Sequence, residues 1–544
     1  MAKNSLGFLL FFMLMNVLYA KNQPEKYIVY FKDKPTCADV QKQFSEQAIA
    51  KRKKIDIAFD YRDFPINQNY IKQLENRNVL ILQHSNWLNA VLVQANKKQI
   101  SNFPFIQSIA KVPSSKNKSN ILSEEESQEC EQNNAIQEFE DGYTSSFPQT
   151  HLLNGEYLHE QGFNGENMTI AICDNGFYNV DSNVAFRHIF ESNKLLGTFD
   201  YVHNDSLVYD ESGGAPNFTS HGSNCLSFIA GKIDSQYIGT STESNFYLFH
   251  TENNSSERLQ EEFNLAAALE RCSQIGVDVV SISLGYTTFD VPSENHDTSD
   301  MRTNSTPAAI AVNIASSKGM LVCVAAGNEG VTGWKYISSP ADADSAFTIG
   351  SVDINGNVAS SSGYGMPNDS RVKPNIAAMG VNAKYIRTNG TISTGGGTSY
   401  ATPQIAGLAA CLWQAFPSKT NWEIKTAIEQ SSSQYLTPND RIGYGIPDFK
   451  KAYQILATPT FISSSLFEKE FSVFPNPFHQ TISINHNGNA DIKEISILDN
   501  VGREVFSLNS VSTNTIDLSA LPTGLYLMRM VSNKGILIKK ILKN

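Results

Sequence analysis

The chain has 544 residues, too many for one domain of ordinary size, and two or three domains are expected. Its 54 Asp and Glu outweigh 43 Lys and Arg, and the net charge of −11 speaks against a nucleic-acid footprint and for a soluble, mildly acidic protein. Seven cysteines are too few, and odd in number, for a disulfide-framed scaffold.

Lys3, the apolar stretch 6–18 and the small residue Ala20 read as a secretory signal peptide over residues 1–20. That stretch is too short for a comfortable membrane span, and no other segment is long enough, so the mature chain is expected not to cross a membrane. Residues 21–113 read as a small α+β unit. It has a strand at 25–31, a charged helical run at 40–55, a strand at 87–94, a short helix at 97–103 and a closing strand at 106–112. The cluster Lys51-Arg52-Lys53-Lys54 reads as a solvated helix face rather than a processing site. Residues 114–142 are rich in Ser, Asn, Glu and Gln, a linker composition. Cys37 and Cys130 flank this region, and a bridge between them stays open. Cys173, Cys272, Cys323 and Cys411 lie in apolar runs and read as small buried hydrophobes.

Residues 143–457 alternate apolar strands with amphipathic helices, the pattern of a parallel sheet covered on both faces. A strand at 168–173 ends in Asp174-Asn175-Gly176, which puts a carboxylate at the end of a parallel strand, where α/β sheets place their sites. His221-Gly222-Ser223 follows a Gly/Pro/Asn loop at 213–217 and opens an apolar helix. Strands at 246–249 and 277–284 flank a helix at 261–275. A helix at 307–317 leads to the strand 319–328, which ends in Asn328; another strand follows at 346–352. Then comes Gly395-Gly396-Gly397-Thr398-Ser399-Tyr400-Ala401-Thr402-Pro403. A serine hydroxyl attacks only when exposed, beside a base and near oxyanion donors, and Ser399 stands behind glycines at a helix mouth. Pro403 is expected about one turn in, where a missing N–H costs little. Alone, this is also the pattern of a glycine-rich loop before an ordinary helix. With Asp174, His221 and Asn328 it supplies an orienting acid, a base, a nucleophile and an oxyanion donor. Cys225, four residues after His221, is expected just beneath the imidazole.

Residues 458–469 read as a second linker, and 470–544 as about seven short strands forming a β-sandwich.

With these blocks in order, the chain resembles the subtilases, the subtilisin-like serine peptidases, over about 143–457. Asp174-Asn-Gly matches the family's Asp-Ser/Thr-Gly, His221-Gly-Ser its His-Gly-Thr, and Gly397 to Pro403 its Gly-Thr-Ser-x-Ala-x-Pro. The resemblance implies a triad of Asp174, His221 and Ser399, with an oxyanion hole from Asn328 and the Ser399 N–H. It implies substrate pairing along Ser283, Leu284 and Gly285, and a first pocket partly lined by Ala325, Ala326 and Gly327. Asn175 and Ser223 depart from the family pattern and leave the hydrogen bonds around Asp174 and His221 open. Cys225 matches the cysteine of thiol-containing subtilases. Residues 24–113 resemble the family's inhibitory propeptides, which implies an intramolecular chaperone and inhibitor removed by cleavage in the linker. The tail blocks Val473-Phe-Pro-Asn-Pro-Phe478, Asp499-Asn-Val-Gly-Arg-Glu-Val505 and Leu521-Pro-Thr-Gly-Leu-Tyr-Leu527 resemble the C-terminal sorting domain of the type IX secretion system of Bacteroidota. That implies transit through the periplasm, export by that machinery, loss of the tail, and release or surface attachment. Protein or peptide substrates are implied, with no nucleic-acid partner and no cofactor for catalysis. Structural calcium is common in subtilases, yet spacing singles out no ligand set, and His188, His203 and His250 read as ordinary histidines, not metal ligands. A silent adhesin would not need the intact triad. An α/β-hydrolase would place its acid and base after the serine, the reverse of the order here.

Overall fold

This computed structural model describes residues 24–36, 39–112, 145–209, 220–253, 255–302, 304–458, 471–486, 492–499, 504–509, 515–532 and 535–544. The signal peptide, the linker at 114–142, the loop at 213–217, Cys37, Cys130 and all but the first residue of the linker at 458–469 lie outside the described residues. The chain divides into two compact units at residues 455/456.

The first unit begins with a four-stranded antiparallel sheet: β1 (Glu25–Phe31), β2 (Leu80–Ser85), β3 (Ala90–Ala95) and β4 (Ile106–Val112), in the order β2-β3-β1-β4. Alternation along β1 sends Tyr27, Val29 and Phe31 to one face, with Leu74 and Ile100 from the helices α2 (Gln68–Glu75) and α3 (Lys97–Ile100). Ile28 faces the other way, with Leu92 and Val112, onto Phe263. The expected strand at 87–94 starts late, because residues 86–89 turn, with Asn89 at φ +49°. β2 and α2 were not anticipated. The charged helical run expected at 40–55 breaks into a short 3-10 turn and a helix α1 (Glu46–Lys54).

The larger part is a seven-stranded, wholly parallel sheet. Its strands are β5 (Thr169–Asp174), β6 (Leu195–Asp200), β7 (Asn245–His250), β8 (Val279–Ile282), β9 (Leu321–Ala325), β10 (Phe347–Val352) and β11 (Ile376–Met379). They run in the order β11-β10-β9-β8-β5-β7-β6. The central strands are buried along their whole length, as expected of a sheet covered twice. Helices α4 (His221–Ala230), α5 (Leu259–Ile275), α6 (Pro307–Ser317) and α7 (Thr398–Ala415) cover it. α5 and α6 share a core with Ala171, Cys173, Val280, Val322 and Val324, while α4 packs against α7. Among the described residues, five cysteines, including Cys173, Cys272, Cys323 and Cys411, are buried free thiols.

The second unit is all strand: Phe471–Phe474, Thr481–His486, Ile492–Leu498, Glu504–Asn509, Thr515–Asp517, Gly524–Ser532 and Gly535–Lys543. They form sheets of three and four strands that share one core of Ile482, Ile484, Ile495, Ile497, Met528 and Ile541.

Candidate active site

Three strands and two helix mouths meet at the C-terminal edge of the parallel sheet. β5 ends in Asp174, which is fully buried. Its Oδ1 accepts from the Asn175 N–H (2.8 Å) and lies 2.7 Å from His221 Nδ1. Asp174 Oδ2 is buried with no hydrogen-bond partner among the described residues. Neither departure from the family blocks fills it, because the Ser223 hydroxyl donates to the Tyr178 carbonyl (2.9 Å). α4 begins at His221 and can approach β5 because Gly222 has no side chain: a β-carbon there would meet the Gly176 carbonyl oxygen at 2.3 Å. Burial, the largest single influence, pulls the His221 pKa down, but the Asp174 carboxylate and the neighbouring Cys225 sulfur together leave it raised well above its ordinary value.

Cys225 lies where a spacing of four puts it, Sγ at 3.7 Å from His221 Nδ1 and 3.9 Å from Nε2. The same thiol donates to the Ser399 carbonyl (3.6 Å), so it touches both base and serine. α7 is capped by Gly397 at φ +128°, a conformation that side chains resist. The Ser399 hydroxyl donates to the Ser283 carbonyl (3.3 Å), and the Ser283 hydroxyl donates back to the Ser399 carbonyl (2.9 Å).

Pro403 lies at the sixth position of α7, past the opening N–H groups that lack helical partners, so its missing N–H is not free of cost as expected. Its missing N–H would have bonded the Ser399 carbonyl. Ser283 and Cys225 take that carbonyl instead.

Asn328 is exposed just past β9, and its Oδ1 accepts from the Thr398 N–H (2.9 Å) and hydroxyl (3.1 Å). With the oxygen anchored, the amide NH₂ is the group left to donate beside Ser399. Gly285 and Gly327 face one another across Ser338, whose buried hydroxyl has no partner among the described residues. Glu329 Oε2 is buried beside Gly327 with no hydrogen-bond partner among the described residues, and burial raises its carboxyl pKa. Gly285 belongs to the segment expected to pair with substrate and Gly327 to the one expected to line part of the first pocket; a β-carbon at either would approach the Ser338 hydroxyl. Ser338 and Glu329 were missed, because nothing in their local sequence marks them; only tertiary packing brings them there.

Among the described residues, two other groups of ionisable atoms lie close enough to hold a cation. Asp200 Oδ2 already takes His203 Nδ1 (2.9 Å) and His250 Nδ1 (2.8 Å), and its other oxygen takes two backbone N–H groups. Glu252, Glu257 and Glu261 cluster, but Glu252 accepts from Tyr286 and Thr251 hydroxyls and Glu261 from two backbone N–H groups. In the first set the Asp200 oxygens are taken up by these donors, and in the second Glu252 and Glu261 accept hydrogen bonds; His188 is in neither group. The buried Lys373 ammonium itself occupies an oxygen cage, donating to the Ala343 and Ala346 carbonyls (2.8 Å each) and Thr348 Oγ1 (2.9 Å).

Comparison with known proteins matches residues 165–445 to the profile described as Subtilase family. Residues 26–131 match a Peptidase S8 propeptide domain of Bacteroidota, and 472–544 a secretion system C-terminal sorting domain. Serine protease AprX of Bacillus subtilis is 28% identical over 316 residues, covering 52% of this chain and 65%, just under two thirds, of AprX. Subtilisin DY of Bacillus licheniformis is 26% identical over 284 residues, covering 52% of this chain and 89% of that protein. Among solved structures, the MycP3 protease of the type VII (ESX-3) secretion system aligns with TM-score 0.44 and 20% identity over 57% of this chain and 88% of its own. MycP1 from Mycobacterium smegmatis aligns with TM-score 0.43 and 20% identity over 56% and 84%.

Proposed function

Because the chain belongs to the subtilase family, we propose that it is an exported serine endopeptidase that works through Asp174, His221 and Ser399. His221 takes the Ser399 proton as the serine oxygen attacks the scissile carbonyl, then delivers it to the leaving amine. Asp174 holds the imidazole tautomer and stabilises the imidazolium. The Asn328 amide and Ser399 N–H meet the oxyanion. An extended substrate adds as a strand along Ser283, Leu284 and Gly285, with its side chain between Gly285 and Gly327. After the amine leaves, a water attacks the Ser399 ester, His221 taking its proton and returning it to the serine oxygen as the acid product leaves. The single observation that carries the reading is the 2.7 Å Asp174–His221 contact on the helix that packs against α7.

The domain plan proposed is a signal peptide (1–20), propeptide (21–113), linker (114–142), peptidase (143–457), linker (458–469) and sorting tail (470–544). The propeptide inhibits in place until it is cut away, and the tail directs export through a type IX machinery to the surface or medium.

The test is casein cleavage and fluorophosphonate labelling of the secreted protein beside Ser399→Ala. Loss of both in the variant is expected; folded, propeptide-free parent protein that neither cleaves nor labels would refute the reading. Asn328→Ala should keep labelling but lose about 10²–10³ in turnover, the cost of one such donor in a subtilisin.

A further inference from the structure

The N-terminal α+β unit meets the peptidase in two separate places. At the first, the Ile28 face of its sheet covers Phe263 of α5. There Glu270 of α5 accepts from Asn86 Nδ2 (2.5 Å), the Trp87 N–H (3.1 Å) and the Ser85 hydroxyl (3.2 Å).

The second place is made by residues 39–66, an arm between β1 and α2 that is not needed to complete the small sheet. It carries α1 to the edge where β5, β8 and β9 begin, opposite the edge that bears the candidate site. The Ser45 N–H donates to the Gln274 carbonyl (2.8 Å), and Lys51 pairs with Asp278 (2.6 Å) and donates to the Gly276 carbonyl. Ala48 packs against Gly276, and Ile55 against Gly319. Arg52 lies 4.6 Å from the centroids of both the Phe44 and Phe59 rings, grips Asp63 with two bonds (2.9 and 2.8 Å) and donates to Ser273 (2.8 Å). Lys318, just after α6, donates to Asp63 (2.7 Å) and pairs with Asp60 (2.9 Å).

The side chains of Arg52, Asp63 and Lys318 are 4%, 0% and 1% exposed. Charges so buried are tolerated only when paired, and Lys318 finds its carboxylates only in the arm. The expected solvated face at 51–54 is therefore wrong for its first two residues, which are interface residues; Lys53 and Lys54 alone are exposed.

We propose that the N-terminal edge of the large sheet is a second docking surface for the propeptide, fitted to this basic arm helix, and that the two footprints together keep a severed propeptide seated on the peptidase. Two contacts carried by one chain release only when both are open at once, so losing either one speeds escape far beyond its share of the area. The inference rests on the peptidase reading for its consequence, activity withheld after cleavage, and not for the binding itself.

The experiment uses the full chain carrying Ser399→Ala, with a recognition sequence for a site-specific protease placed between residues 114 and 142. After cutting, gel filtration follows how long the propeptide fragment stays with the peptidase. The fragment is expected to co-elute. Lys318→Met and, separately, Lys51→Met should speed its loss by roughly tenfold or more. Lys51→Met guards against a folding failure of the first variant, since Asp278 keeps its bond from the Thr169 N–H (2.9 Å). A fragment that leaves the parent at once, or variants that hold it as long as the parent, would overturn the proposal. An inactive wild-type chain that still retains its cut fragment would sink the peptidase reading alone.

Discussion

At His221 opposing effects meet: burial disfavours the imidazolium, and the Asp174 carboxylate with Cys225 beside it favours it enough to leave the pKa raised. The base works only when neutral, so a raised pKa moves the acid limb of kcat/KM upward, and activity is lost as pH falls through it. A pH profile should place that limb above the ordinary histidine value of about 6.5. Asp174→Asn should lower the rate by about 10⁴. Cys225 sets a second expectation. Burial pushes its thiol up to about 11, so at neutral pH it is not a thiolate. Iodoacetamide should leave activity unchanged, whereas a mercurial, which binds sulfur without prior ionisation, should abolish it; Cys225→Ala should lose that sensitivity. Inhibition that persists in Cys225→Ala would count against this. Cys225 was legible in advance because helical spacing alone sets its height under the imidazole. Ser338 and Glu329 were not, because their place depends on how distant strands align.

At the scale of elements, α7 shows what periodicity cannot say. A proline at its sixth position reads as a defect, yet the carbonyl it strands belongs to Ser399, and Ser283 and Cys225 receive it. Ser283→Ala should destabilise the protein by about 1 kcal/mol in urea unfolding. Pro403→Ala restores an N–H to that carbonyl and should recover most of the loss in the Ser283→Ala background, with little gain in the parent. A double-mutant cycle with no coupling would remove this account. The central strands β5, β8, β9 and β10 were legible because unbroken apolar runs mark strands buried on both faces. The edge strand β6 has mixed exposure and gave no such signal. α2 and β2 were not placed in advance, because the charged helical run at 40–55 belongs to the arm that separates β1 from α2.

At the scale of the whole molecule, the strand-rich tail has its own core and forms its own compact unit. A chain ending at residue 457 should keep the peptidase melting temperature and casein activity of the full chain but fail to be exported; a large drop in melting temperature would show that the tail supports the fold. Its seven strands were legible from turn spacing, whereas their pairing into sheets of three and four was not, since neighbours in sequence do not always pair. The arm contacts described above join residues as far apart as Asp63 and Lys318, separated by 255 positions. The large sheet also has no hairpins, and contacts between such distant positions form slowly. If the propeptide is cut away as proposed, the mature chain would lose that scaffold, and its lifetime would be set by how rarely it unfolds rather than by how favourable refolding is.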